Sequence, residues 1–170
     1  MTISEECYCA GVQLDDRAVF LLSQLGHNVA DRFADALAPL GIKPAHFGIL
    51  THLRAGDGRS QQQLADLLDI HRNPMVGLVD ELENLGLVRR SRHPDDRRAH
   101  AVHLTERARS VLEEGDRIAD ELEASMLESL DADERTRLLA TLRKVSASAE
   151  LPVGVHPGLR RRTPRPSATD

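Results

Sequence analysis

The sequence predicts a mainly α-helical protein with one small β-hairpin. Apolar residues make up 41% of the chain and aromatic residues only 2%, so the core must be built from aliphatic side chains. Leucine and alanine keep much of their side-chain freedom in a helix, and such a composition favours helices. Apolar side chains also recur at spacings of three and four along several segments, which is the helical period. Residues 87–104 differ, because two short apolar runs there flank a bend at Pro94 and Asp95.

The first helix is predicted from Asp15 to Pro39. Asp15 and Asp16 suit its start, since carboxylates stabilise the positive end of a helix dipole. Pro39 and Gly41 end the pattern. Apolar side chains extend beyond one stripe of this helix, which indicates two packing partners. Residues 1–14 show no sustained period and are predicted to form a flexible N-terminal arm.

Two short helices are predicted next. The first covers residues 44–55, with Pro44 in its first turn. Ser60 and Gln63 then form a capping box for the second. Its buried face is predicted to consist of three leucines, Leu64, Leu67 and Leu68.

A fourth helix follows a turn at residues 69–71 and ends near Gly86, which suits a left-handed C-terminal position. Asn73 as N-cap, followed by Pro74 at the first helical position, is a locally favourable start. The buried face of this helix is predicted to contain Met75, Leu78, Val79, Leu82 and Leu85.

Two long helices complete the predicted fold. Thr105 suits the N-cap of a helix over residues 106–129, and Asp131 starts a last helix. Residues 15–43 and 105–150 bury little if left alone as a monomeric surface, so they are predicted to form a helical dimerisation region. Residues 151–170 are rich in proline and basic side chains without a helical period, and are predicted to be a disordered basic tail.

The predicted hairpin differs from the rest of the chain in its positive charge. The chain has a formal net charge of −5, whereas residues 89–109 carry seven basic and three acidic side chains. An acidic body with one basic patch can orient itself on DNA. Residues 44–104 therefore combine a helix-turn-helix with an arginine-rich wing, the layout of a DNA-binding domain.

In this layout the fourth helix enters the major groove, where each base pair presents a distinct edge, and the wing lies along the adjoining minor groove. The third helix crosses the sugar-phosphate backbone of the DNA. The residues predicted to face phosphates from the third helix are Ser60, Gln61 and Gln62, and those predicted to face the bases are Arg72, Asn73, Val76 and Gly77.

Residues 64–108 resemble the MarR family of bacterial transcription regulators. The most specific part is Asp96-Arg97-Arg98 in the wing, and the LVDELENLGLVRR run over residues 78–90 is also typical. The resemblance extends over roughly residues 15–150. It implies a winged helix-turn-helix with a helical dimerisation domain, and a homodimer that binds pseudo-palindromic operators in double-stranded DNA. It further implies a repressor that a small-molecule effector releases.

The same resemblance assigns roles in the wing. Asp96 would pair with an arginine and fix the shape of the wing, while Arg97 and Arg98 would form its tip, with Arg98 favoured for the minor groove. The residues that could reach phosphates are Arg89, Arg90 and Arg92.

This sequence also departs from the family. Pro74, Val76 and Gly77 stand where the family often has Thr, Thr and Arg, so fewer hydrogen-bonding groups face the bases. Affinity is then expected to depend on the wing and on contact with thymine methyl groups. The family pattern starts the fourth helix near His71 instead of after an Asn73 cap, and both starts remain open.

Two other interpretations remain. One is a metal- or thiol-responsive sensor on the same scaffold, which Cys7, Cys9 and the eight histidines suggest; the other is a protein-interaction module that retains the winged fold. No motif of an enzyme is recognised, and no cofactor or metal site is predicted. Without an apolar run of about 18 residues or a leader, neither a membrane span nor export is expected, so the prediction is a cytoplasmic protein.

Overall fold

A computed structural model describes residues 14–92, 100–151 and 154. The described part of the chain contains six α-helices and three short strands. Their bounds are α1 Ala18–Leu37, α2 Pro44–Ala55, β1 Arg59–Ser60, α3 Gln61–Leu67, α4 Arg72–Asn84, β2 Val88–Arg92, β3 His100–Leu104, α5 Glu106–Met126 and α6 Ala132–Ser148. The predicted class, mainly helical with a winged helix-turn-helix, is confirmed.

The first predicted helix is divided. A 3-10 turn, Leu14–Asp16, precedes α1, and a second, Ala38–Leu40, follows it. Pro39 cannot donate a backbone hydrogen bond, and Gly41 closes the turn with φ of 72°, in the left-handed region. The chain therefore turns sharply into α2, which has the bounds predicted for it.

The sheet contains one strand more than the sequence predicted. Its order is β1-β3-β2, antiparallel throughout, with Val88 opposite Leu104 and Arg59 opposite Val102. β1 has only two residues, too few to show an alternating pattern. It ties the start of α3 directly to the strand that returns from the wing.

The core lies between α2, α3, α4, the sheet and the first turns of α5. Its apolar side chains, from Leu37 to Leu112, are at most 7% exposed. The prediction for α3 was wrong at Leu67, which is 40% exposed. Leu64, Ala65 and Leu68 define the buried arc of that helix, and Leu67 points about 100° away from its centre.

The long helices are much less covered. Leu37 is the one buried residue of α1, and α6 has none in the part of the chain that the structure describes. Both helices nevertheless carry apolar rows whose members are between 36% and 80% exposed. Across residues 14–92, 100–151 and 154, no helix has both the length and the apolar character needed to cross a membrane.

Candidate nucleic-acid interface

The helix α4 is anchored on one face and open on the other. Met75, Val79 and Leu82 are fully buried and hold the helix against the core. The opposite face of its first two turns is exposed, and it brings together the predicted residues Arg72, Asn73, Pro74, Val76 and Gly77. This face is the part of the domain that can enter a groove without loss of packing.

The structure distinguishes between the two predicted N-caps of α4, His71 and Asn73. His71 is the N-cap, with φ −64° and ψ 146°, and the Met75 N–H donates to the His71 carbonyl at 3.2 Å. The alternative with Asn73 as cap is wrong. Pro74 is tolerated because the first N–H groups of a helix have no intrahelical partner. The side chain of Asn73 consequently lies within the first turn, on the exposed surface.

The turn between α3 and α4 fixes the angle of α4. Asp69 adopts a left-handed conformation with φ of 49°, which a short polar side chain tolerates better than most. The Ile70 N–H donates to the Ala65 carbonyl at 2.9 Å, and the Ile70 side chain is only 3% exposed. A buried side chain directly before His71 therefore locks the direction in which α4 leaves the turn.

The three residues predicted on α3 are placed differently from one another. Ser60 is buried, and it caps the helix: its Oγ accepts from the Gln63 N–H at 3.2 Å. The Ser60 Oγ thus has a structural role as a cap acceptor, and the phosphate contact from Ser60 remains a prediction. Gln62 is exposed and its amide donates to Asp66 at 2.9 Å. The Gln61 Nε2 is buried and has no hydrogen-bond partner within the described ranges.

The arginines of β2 also differ. Arg89 and Arg92 are exposed, whereas the Arg90 side chain is only 19% exposed and its guanidinium binds both Asp80 and Glu83 of α4. The Arg90 N–H donates to the Glu83 Oε1 at 3.1 Å as well. Arg90 therefore acts as a brace that joins the wing to α4, and its phosphate contact remains a prediction. The wing-tip residues Asp96, Arg97 and Arg98 lie outside the described residues.

Charges on α4 run against its helix dipole. Arg72 occupies the first turn, and the C-terminal half carries Asp80, Glu81 and Glu83. Cations at the start and anions at the end of a helix are both unfavourable. Arg90 and Lys43 offset the carboxylates, while Arg72 has no comparable ion pair among the described residues. An exposed cation kept in an unfavourable place is typical of a functional surface.

A second brace joins α4 to the start of α2. The Lys43 Nζ donates to the Glu81 Oε2 at 2.7 Å, and the His46 Nε2 lies 3.1 Å from the same oxygen. Burial lowers the pKa of His46 more than the neighbouring Glu81 carboxylate raises it. The imidazole is therefore neutral at pH 7. The hydrogen bond from Lys43 is the main cause of the lowered pKa of Glu81.

A third brace holds the base of the wing. The His103 Nδ1 lies 2.9 Å from the Asp57 Oδ2, and its Nε2 lies 3.0 Å from the Ser91 Oγ. The Leu104 N–H donates to the other Asp57 oxygen at 2.9 Å. Partial burial opposes ionisation of Asp57, but these hydrogen bonds outweigh it and lower the pKa of the carboxyl. The three residues connect both wing strands to the loop that follows α2.

These braces were not predicted. Lys43 and Glu81 are 38 residues apart, and Asp57 and His103 are 46 apart, so no local spacing marks them. The histidines suggested a metal sensor, but no group of three His, Cys, Asp or Glu side chains suited to a metal ion occurs in residues 14–92, 100–151 and 154. Cys7 and Cys9, the basis of the thiol-sensor interpretation, lie outside these ranges.

Comparison with known proteins agrees with this geometry. Residues 40–99 match the model of the MarR family. A probable transcriptional regulator from Pseudomonas aeruginosa is 31% identical, with a TM-score of 0.67, over 78% of this chain and 99% of that one. The transcriptional repressor CouR bound to a 23-mer DNA duplex is 34% identical, with a TM-score of 0.70, over 78% and 94%. CouR from Rhodococcus jostii RHA1 bound to p-coumaroyl-CoA is 29% identical, with a TM-score of 0.65, over 79% and 94%. The chain belongs to the MarR family of transcriptional regulators.

Proposed function

We propose that this protein is a cytoplasmic, homodimeric repressor that binds a pseudo-palindromic operator in double-stranded DNA. The observation that carries this proposal is the anchored helix α4, which exposes Arg72 and Asn73 at its first turn, in a domain that also exposes Arg89 and Arg92 of β2. The protein that most directly supports it is CouR, a repressor similar to this chain whose structure contains DNA.

The exposed apolar rows of α1 and α6 support the dimer. A cavity of about 590 Å³ between α1, α5 and α6 is lined largely by apolar side chains, among them Val29, Leu122 and Leu139. Apolar surface of this extent on a single chain marks an interface. A second copy would cover both rows and place the two α4 helices about one DNA turn apart, in successive major grooves.

The candidate contacts divide into readout and positioning. Arg72 and Asn73 supply the direct readout of base edges, since guanidinium and amide groups recognise guanine and adenine. Val76 contacts thymine methyl groups. Gly77 permits close approach to the groove, because no other group lies within 4 Å of the place where a Cβ atom would project. Pro74 packs beside them. Among the predicted phosphate contacts, the exposed Gln62, Arg89 and Arg92 are favoured. Ser60, the Gln61 amide and Arg90 are less favoured, because the first two are buried and Arg90 is paired with Asp80 and Glu83. The wing contacts come from Arg97 and Arg98, supported by Asp96.

A small-molecule effector is proposed to release the DNA. The support is CouR again, since the structure of that protein with p-coumaroyl-CoA shows that a similar chain binds a small molecule. A ligand that prefers one arrangement of the α4 helices shifts the protein towards it, and can release DNA only through that difference in affinity.

Selection of bound sequences from random DNA, repeated with candidate effectors, tests the proposal. Two half-sites with a two-fold relation are expected, and recovery of single half-sites or of no enriched sequence would contradict it.

On the selected operator, Arg98→Ala should weaken binding by about 1–3 kcal/mol in a gel-shift titration at fixed salt. Arg143→Ala on the exposed surface of α6 removes the same charge away from the wing, and should leave binding unchanged. Equal affinities of Arg98→Ala and the native protein would remove the wing from the interface.

A further inference from the structure

The chain beyond α6 returns to the helix-turn-helix. Glu150 takes a left-handed φ of 53°, and the Leu151 N–H donates to the Ser146 carbonyl at 3.0 Å, which ends α6 in a tight reversal. Gly154 then lies against α2, where its carbonyl oxygen is 3.1 Å from the His52 Nε2. These two residues are 102 positions apart, so the contact between Gly154 and α2 is a tertiary one.

A groove of about 330 Å³ begins at this contact. Gly154 forms part of its rim, and its walls come from α1, α2 and the end of α3, notably Phe33, Phe47 and Leu68. The Phe33 and Phe47 rings meet edge to face, with centroids 5.6 Å apart. The walls are thus apolar and aromatic, and the groove has the character of a binding surface.

The groove also holds an unused polar atom. Thr51 lines it, and the Thr51 Oγ1 is buried without a hydrogen-bond partner among the residues that the structure describes. A buried hydroxyl without a partner costs free energy, so such groups are nearly always satisfied in native proteins. Thr51 and His52 are neighbours on α2, and both line the groove at the end that Gly154 borders.

We propose that this groove binds the protein's own C-terminal segment, residues 155–170, which continues from Gly154. The segment begins at the rim of the groove, and Val155, Pro157 and Leu159 offer apolar side chains to its walls at alternating positions. At about 3.3 Å per extended residue, its sixteen residues are more than long enough to cross the groove. Since the segment is tethered, its effective concentration is on the order of millimolar, higher than that of a free competitor.

The proposed contact lies within one chain and does not depend on DNA binding.

Methyl NMR of the full chain and of a chain ending at Leu151 tests the contact. Truncation should shift the methyl signals of Thr51 and Leu68 and leave that of Val76, on the exposed face of α4, in place. A peptide of residues 152–170, added to the truncated protein up to millimolar concentration, should return the Thr51 and Leu68 signals saturably towards their full-length positions. Unchanged Thr51 and Leu68 signals on truncation would overturn the proposal, as would a peptide that moves only signals outside the groove.

A substitution in the full-length chain gives an independent measurement in case truncation impairs folding. His52→Phe removes the nitrogen that binds the Gly154 carbonyl and should reproduce the Thr51 shift seen on truncation. His100→Phe changes an exposed histidine on β3 and is the matched control, with no shift expected in the groove. A His52→Phe spectrum in which Thr51 keeps its native position would show that the segment is not held there.

Discussion

The winged body of this protein (residues 44–104) buries most of its apolar residues, whereas the outer helices (α1 and α6) leave many of theirs exposed. In the body, Leu50 and Leu82 are fully buried within the one chain. On α1 and α6, Leu25 is 51% exposed and Val145 is 49% exposed, although both occupy rows of helical period. The same kind of side chain therefore closes a core in one region and leaves a surface to be covered in the other.

Because of this difference, the two regions should contribute to stability with different dependences on protein concentration. A core that closes within the chain contributes the same stability at any protein concentration. Apolar rows that require a second copy stabilise the protein only when that copy is bound, so their contribution depends on concentration. Substitutions in the two regions should then be distinguishable by dilution alone.

The largest effect is expected in the body. Leu82→Ala deletes a fully buried side chain of α4 and should lower the free energy of unfolding by about 2–5 kcal/mol, since a cavity remains. Urea unfolding at several protein concentrations measures it. The difference from the native protein should be the same at each concentration; a loss that appears only on dilution would place Leu82 in the interface instead.

The second effect concerns α6. Leu142→Asp places a carboxylate in the apolar row and should raise the dissociation constant of the dimer by a factor on the order of a hundred or more, because an unpaired buried charge costs several kcal/mol. Sedimentation equilibrium measures the shift. Lys144→Asp, about 200° around the helix from Leu142, is the control and should leave the dimer intact. Dimers of equal strength in both variants would contradict the assignment of this face.

The third effect tests how closely α5 approaches α2. A Cβ atom at Gly115 would lie 2.4 Å from the Phe47 Cε2, so Gly115→Ala should destabilise the protein by about 1–3 kcal/mol through overpacking. Gly77 has open space around its Cα, and Gly77→Ala should instead stabilise DNA-free protein by up to about 1 kcal/mol through helix propensity. Thermal unfolding of both variants measures the contrast, and shifts of the same sign would refute it.

The smallest effect is a pH dependence within the body. Burial lowers the pKa of His46, so the unfolded chain binds a proton there at a higher pH than the folded protein does. The free energy of unfolding should fall as the pH drops below about 6.5, by at most about 1.4 kcal/mol per pH unit, and level off below the folded pKa.

His46→Gln should reduce this slope in urea titrations between about pH 5.5 and pH 7.5, an interval of about one unit on either side of the ordinary histidine pKa. His100→Gln, at an exposed position, should retain it. A His46→Gln profile parallel to the native one would exclude His46 as the source.

Local signals account for most of what the sequence predicted correctly. The capping box at Ser60, the N-cap at Thr105 and the helix start at Asp131 depend on residues three apart, and the structure forms all of them. The wing strands followed from apolar runs around a proline bend. Errors arose where local rules had more than one solution, as at Leu67 on a short helix and at the start of α4, where Asn73-Pro74 is a good cap by itself.

The roles of individual site residues depended on distant partners. Arg89, Arg90 and Arg92 look alike in the sequence, yet only Arg90 binds Asp80 and Glu83. Arg89 points to the opposite face of the strand, whereas Arg92 shares the face of Arg90 but lies two residues, roughly 7 Å, further along the strand. The burial of Ser60 follows from the pairing of β1 with β3, which no local pattern indicates.

The sequence by itself determined the order and type of the helices, the position of the wing and the excess of positive charge around it, because periodicity, caps and composition act between residues close along the chain. Tertiary structure alone decided which arginine binds Asp80 and Glu83, the Lys43–Glu81–His46 and Asp57–His103–Ser91 contacts, and the contact of Gly154 with His52. The contacts that join separate elements connect residues between 7 and 102 positions apart, and their energy depends on burial and distance that only the packed chain defines.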